Sequence, residues 1–113
     1  LVLICIEKAT ASHYAFHESR SLIVNILDES QQDISERFAA PAADKFAATD
    51  FEPGGDGIPR LRTALAVLEC RVTDVCDGGD HTIFVGSVER AAAREGAPLV
   101  YFCSQYGTTM TGQ

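Results

Sequence analysis

The chain opens on an unbroken apolar run, Leu1-Val-Leu-Ile-Cys-Ile6, rich in β-branched residues and bounded by Glu7-Lys8. A run this short predicts a strand buried on both faces. Thr10-Ala-Ser12 supplies hydroxyls suited to an N-cap, so a short helix is expected from Ser12 to about Glu18. Ser21 to Leu27 reads as a second apolar strand. Ser30 is placed as the cap of a helix running to about Ala40, with Ile34 and Phe38 sharing its buried face and Pro41 closing it. Between Asp50 and Arg62 the stretch Pro53-Gly-Gly-Asp-Gly57 and Pro59 predict a loop of about a dozen residues, long enough to carry function.

From Ala64 to Cys76 the even positions Ala64, Ala66, Leu68, Cys70 and Val72 are apolar, while Glu69, Arg71 and Thr73 occupy much of the other face. That alternation predicts a strand. Asp77-Gly-Gly-Asp80 is a turn, and His81 to about Arg90 returns as the partner strand. A turn centred on Gly78-Gly79 would set Asp77 against Asp80. Like charges so opposed are unfavourable, so either the loop is wider or the carboxylates have other partners. Ala97 to Cys103 reads as a last strand, with a frayed tail from Gly107 to Gln113. The order β-α-β-α followed by a three-stranded meander lacks the repeated βαβ spacing of a doubly wound sheet. It predicts a mainly β chain with short helices, a small antiparallel barrel without internal repeats.

Composition narrows this further. The chain has 113 residues, one core's worth, and at 46% hydrophobic it is too apolar for disorder. No apolar run approaches the roughly 20 residues of a membrane helix, and no basic segment precedes the opening run as in a signal peptide. A soluble globular domain over residues 1–113 is expected. Because the chain starts without Met on a strand-like run, that domain is expected to be partial and to extend further toward its N-terminus. Sixteen acidic residues against nine basic ones give a net charge of −7, with no basic cluster for a nucleic acid to meet. An anionic ligand would need a few local cations and backbone donors. Cys5, Cys70, Cys76 and Cys103 form no CxxC pair and no zinc spacing, which predicts reduced, mostly buried thiols in the cytoplasm.

Candidate chemistry lies at four places. The turn Glu7-Lys8-Ala9-Thr10-Ala11-Ser12 joins a cation, two hydroxyls and a helix start, the parts of a phosphate site, although an N-cap beside a solvated Lys explains the same residues. His81, beside Gly79-Asp80 at the hairpin mouth, is accessible to a ligand or is a half-exposed strand residue with a carboxylate neighbour. His13 and His17 share a helical face, but without a third ligand no metal site is expected. Arg37-Phe38 and Asp44-Lys45-Phe46 offer aromatic walls and charge for a planar ligand, or ordinary core packing. No serine elbow, Walker loop or GxGxxG is present.

Taken in order, several segments resemble the flavin reductase-like, FMN-binding split-barrel family, the small reductases of two-component monooxygenases. They are Leu1–Ile6 with the Ser12-His13 turn, Ser21-Leu-Ile-Val-Asn-Ile-Leu27, Arg37-Phe-Ala39 with Asp44-Lys-Phe46, and Leu65-Ala-Val-Leu-Glu-Cys-Arg-Val72. Gly79-Asp-His-Thr-Ile-Phe-Val-Gly86 and Leu99-Val-Tyr-Phe102 with Tyr106-Gly107 complete the set. The Gly-Asp-His hairpin after a Leu-Glu-Cys strand is the most specific part. The resemblance implies a split antiparallel barrel and a flavin site drawing on Glu7, Lys8, Thr10, Ala11 and Ser12, with Lys8 where an Arg is usual. It also places Arg37 and Phe38 near the flavin, His81 on the nicotinamide side, and Tyr106 in the segment covering that pocket. The departures are Glu7 where Asn or Asp is commoner, Val67 in place of a frequent Trp, and a Thr/Ser-rich flavin motif that would precede Leu1.

What the resemblance implies chemically is hydride transfer from NADH or NADPH to FMN or FAD, with His81 orienting the nicotinamide. It further implies reduced flavin passed to an oxygenase partner, and a homodimer using Leu65, Val67, Ile83 and Val85. A flavin-storage barrel without turnover, or a truncated domain without activity, are the rival expectations.

Overall fold

The computed structural model describes residues 1–40 and 45–109. Four strands make the main sheet: β1 (Val2–Glu7), β2 (Ser21–Ile26), β5 (Ala66–Gly78) and β6 (His81–Ala93). They run in the order β1-β6-β5-β2, every pair antiparallel. Helix α1 (His13–Glu18) joins β1 to β2, and α2 (Gln32–Ala39) follows β2. The sheet curls into a half-barrel, as a mainly β chain with short helices is expected to do.

The two faces of the sheet bury two separate clusters. On one, Leu22, Cys70 and Phe84 pack with Val2, Ile4, Ile6 and Phe16. On the other, Leu61, Ala64 and Val67 pack with Ile23, Leu27, Ile34 and Phe51. Phe84 is fully buried, and the rings of His13, Phe16 and His17 lie 6.1–6.5 Å from it, so α1 covers β6. Gly86 lets this face close: a Cβ there would stand 3.0 Å from that of Cys70.

Several sequence expectations change in the folded chain. β1 is not buried on both faces. Val2, Ile4 and Ile6 point inward, whereas Leu1 and Leu3 are 84% and 64% exposed. The residues read as a loop fold into a hairpin, β3 (Phe51–Pro53) and β4 (Pro59–Leu61), closed by a 3-10 turn at Gly55–Gly57. Its apolar ends, Phe51 and Leu61, are paired in register. β5 starts two residues later than predicted, and a bulge between Glu69 and Cys70 shifts its register. Val67 and Glu69 are therefore buried, and Val67 serves this chain's own core rather than a second face. Ser30 does not cap α2; Gln31 holds that position, while the Ser30 amide and hydroxyl both bond Asp28. The last strand is a small hairpin, β7 (Val100–Phe102) and β8 (Gln105–Gly107), so the predicted meander stops at β6. Of the thiols, Cys70 is buried, but Cys5, Cys76 and Cys103 are exposed. Pro41, Asp44 and the end of the tail lie outside the described residues.

Candidate functional site

The β1–β6 register brings two of the predicted places together. Glu7 stands opposite His81, the last pair of the ladder, so the turn after β1 abuts the β5–β6 hairpin. The hairpin turns on Gly79-Asp80, one residue beyond Gly78-Gly79, with Gly79 at φ +77° where a side chain would be strained. That shift resolves the carboxylate conflict. Asp77 faces Thr82 rather than Asp80, and each acid has its own partner. Lys8 Nζ pairs with Asp77, and His81 Nδ1 lies 2.8 Å from Asp80 Oδ1. These partners hold both carboxyls below their ordinary range, Lys8 acting by hydrogen bond and charge on Asp77, and His81 likewise on Asp80.

The turn itself is tied down by its own backbone. The Lys8 amide donates to the Asp80 carbonyl at 2.8 Å. The Thr10 hydroxyl and amide both donate to the Glu7 carbonyl, at 2.9 and 3.1 Å. Thr10 thus shapes the turn and has spent its donors, whereas the Ser12 hydroxyl makes no cap hydrogen bond to α1. His13 Nε2 meets the buried Thr82 hydroxyl at 2.8 Å, fixing α1 to β6 one residue beyond His81. His17 is exposed.

A groove of about 660 Å³ begins beside Ser12 and ends at α2. Its floor includes Ser21, Leu22 and Ile23 in succession. Neighbouring strand residues point to opposite faces, so the groove follows the outer edge of β2, the terminal strand of the sheet among the described residues. Phe38, Phe46 and Phe51 form its far wall, with ring centroids 5.0–5.7 Å apart. Ser12, Ser19, Ser21 and Ser35 add hydroxyls, and Asn25 an amide, to an otherwise apolar lining.

The candidate residues therefore fall into two groups. Glu7, Lys8, Thr10, Ala11, Ser12 and His81 gather where β1 meets the hairpin. Arg37, Phe38 and Tyr106 gather around α2. Arg37 donates to the Thr49 hydroxyl at 2.8 Å and lies 3.6 Å from Asp33, and the Tyr106 hydroxyl lies 2.9 Å from Ser35 Oγ. Ser12 and Phe38 line the groove that joins the groups. Sequence reasoning missed Phe51, because its Pro- and Gly-rich surroundings suggested a loop; the apolar Phe51 and Leu61 flanking that stretch were the signal. It also missed the partners of Asp77, which only the strand register identifies.

Comparison with known proteins agrees with this fold. Residues 1–110 match the model of the flavin reductase like domain. Over 107 residues the chain is 42% identical to the reductase component of a 4-nitrophenol 4-monooxygenase/4-nitrocatechol 2-monooxygenase from Rhodococcus opacus, covering 95% of this chain and 57% of that protein. Nitrilotriacetate monooxygenase component B from Mycobacterium thermoresistibile superposes with a TM-score of 0.88 at 37% identity, over 95% of this chain and 62% of that one. A Streptomyces globisporus NADH:FAD oxidoreductase, solved with NAD and FAD fragments, gives a TM-score of 0.91 at 28% identity, over 97% and 68%. The chain thus spans a little over half the length of the curated relative. Its half-barrel is the split-barrel fold of these neighbours. With nearly every residue matched and the same strands superposed, the chain belongs to the flavin reductase-like domain family.

Proposed function

We propose that the protein is an NAD(P)H-dependent flavin reductase, which passes a hydride from the nicotinamide to loosely held FMN or FAD and releases the reduced flavin to a flavin-dependent oxygenase component. The observation that carries this reading is family membership across residues 1–110, together with the naming of the R. opacus relative as a reductase component. The NAD and FAD fragments bound by the S. globisporus neighbour support the choice of co-substrates.

The residues present fit a flavin. The groove's volume, about 660 Å³, lies in the range of small-molecule sites, and aromatic and aliphatic walls with a few hydroxyls are the usual lining. At its mouth the uncapped Ser12 hydroxyl, and Lys8 earlier in the same turn, offer donors to an anionic tail, on the turn that Thr10 and the Glu7 carbonyl shape. Ala11 contributes its backbone to that turn, and Arg37 supplies charge near the Phe38 wall. Flavin supplies the hydride acceptor; the protein's task is to hold two rings in reach of one another. In this reading Asp80 accepts from His81 Nδ1–H and so leaves Nε2 to orient the nicotinamide carboxamide. Tyr106, held by Ser35, closes the α2 side. Few cations face the site, which suits a flavin that must leave quickly.

The same reading makes the protein a cytoplasmic homodimer. Leu3 and Cys5 of β1 pair with Val85 and Ile83 of β6 on the sheet face that α1 does not cover, and this apolar strip is available to a second subunit. The test is NADH oxidation followed at the nicotinamide band, with FMN or FAD titrated in. Saturable, flavin-dependent turnover is expected. Tight flavin binding without NADH oxidation would instead identify a storage protein and overturn the proposal.

A further inference from the structure

The site's one cation at the β1 turn is already engaged. Lys8 Nζ pairs with Asp77 across the two turns, and its amide is held by the Asp80 carbonyl at 2.8 Å. Asp80 in turn holds His81. Two carboxylates, Asp77 and Asp80, therefore engage Lys8 and His81 at the tip of the sheet, where Glu7 pairs with His81 in register. Glu7 is carried by β1 and Asp80 is turned to the imidazole, which leaves Asp77 as the acid that touches the ammonium. Lys8 and Asp77 are 43% and 77% exposed as side chains, so neither is locked by burial and the pair can open. An incoming phosphate must share the ammonium with a carboxylate or displace it.

We infer that Asp77 is an affinity-setting residue: by competing for Lys8 it weakens the grip on phosphate-bearing flavins and leaves the flavin ring untouched. This rests on the reading of the Glu7–Ser12 turn as the phosphate end of a flavin site. Its physical content is a competition between two anions for one cation. With Asp77 neutralised, the Lys8 backbone keeps its place, because its amide bond to the Asp80 carbonyl does not involve the Asp77 side chain. The phosphate then meets one fewer negative charge and a cation already unpaired. Asp77 is also placed to speed flavin release, since its carboxylate recaptures Lys8 as the phosphate departs. It touches no reacting atom in this scheme and acts only through Lys8.

The test compares FMN with riboflavin, which carries the same ring and no phosphate. Dissociation constants are measured by flavin fluorescence at low salt for the full chain and for Asp77→Asn, Lys8→Met and the double variant. Asp77→Asn is expected to bind FMN about threefold to tenfold more tightly with riboflavin unchanged, the effect of one charge near contact at an exposed site. Lys8→Met should weaken FMN alone and abolish the gain in the double variant. Raising the salt to about 1 M, where screening extends only about 3 Å, should erase most of the difference. Thermal unfolding of each variant controls for folding, and Asp77→Ser serves as a second neutral substitution. If Lys8→Met weakens FMN while Asp77→Asn changes neither flavin, or both equally, the inference about Asp77 is overturned and the phosphate reading stands. If Lys8→Met leaves FMN binding intact, the phosphate reading fails first and Asp77 loses its role with it.

Discussion

Glu69 offers a stringent test of how the groove is built. Its side chain is only 10% exposed, and it ties the β3–β4 hairpin to β5. Oε1 accepts the Gly55 amide at 2.7 Å, and Oε2 accepts Arg60 Nη1 at 3.2 Å. Glu69→Ala removes both acceptors and leaves the Gly55 N–H without its partner. A hydrogen bond to a charged group contributes about 1.5–3 kcal/mol. The pair with Arg60, whose side chain is 32% exposed, adds about 0–1 kcal/mol. The expected loss is therefore about 2–4 kcal/mol, or a fall in Tm of about 8–16 °C for a domain of this size. Glu69→Gln keeps an oxygen for Gly55 but turns a donor toward the guanidinium, so about half that loss is expected. Thermal unfolding by circular dichroism, with urea titrations showing an unchanged m-value, reads both numbers. Because Phe51, Ile58 and Leu61 of this hairpin region line the groove, flavin affinity should fall with Ala and largely recover with Gln. A Glu69→Ala chain within about 0.5 kcal/mol of wild type, the ordinary range for a surface change, would refute the claim that this carboxylate anchors the wall.

Other outcomes follow from the same geometry. His81→Ala should raise the apparent KM for NADH or slow flavin reduction by about 10- to 100-fold while leaving flavin affinity nearly intact, and stopped-flow reduction with unchanged rate and KM would remove His81 from the nicotinamide site. Phe84→Ala, which empties the fully buried position beneath α1, should cost about 3–5 kcal/mol in urea unfolding; a cost under about 1 kcal/mol would mean that α1 does not rest on it. The Ser30 hydroxyl, and then Arg94, hold the Asp28 carboxyl below its ordinary value. A depressed carboxyl contributes stability above its unfolded pKa of about 3.9 and loses it as pH falls through the folded value. Asp28→Asn should therefore destabilise the chain at neutral pH by about 1–2 kcal/mol, with the gap to wild type closing in acid; a gap independent of pH would contradict this.

Much of the architecture was legible because its signals are local. Leu1–Ile6, Ser21–Leu27 and the alternation after Ala64 each declare a strand within a few residues, and the glycines before His81 declare the hairpin. Those periodicities, with the segments shared by the family, were enough for the antiparallel half-barrel and for family membership. What they could not convey is which strand face is covered. Leu1 and Leu3 look as apolar as Val2 and Ile4, yet the inward pair alone meets Phe84 and its neighbours. Glu69 carries a charge and is buried, because a bulge in β5 and the β3–β4 hairpin supply it with an amide and a guanidinium.

The candidate site divides in the same way. Residue types alone nominated the Glu7–Ser12 turn, His81 and the Arg37-Phe38 pair, since cations, hydroxyls and an accessible imidazole are chemical facts of the chain. Their grouping was decided in space. Strand pairing sets Glu7 against His81 across a separation of 74 residues, and a one-residue shift of the hairpin hands Asp77 to Lys8 instead of to Asp80. Composition and period act over a turn or two of chain, whereas register is a collective outcome of burying one face of every strand at once. The partners of a charged side chain follow from that register, and only the folded chain reveals them.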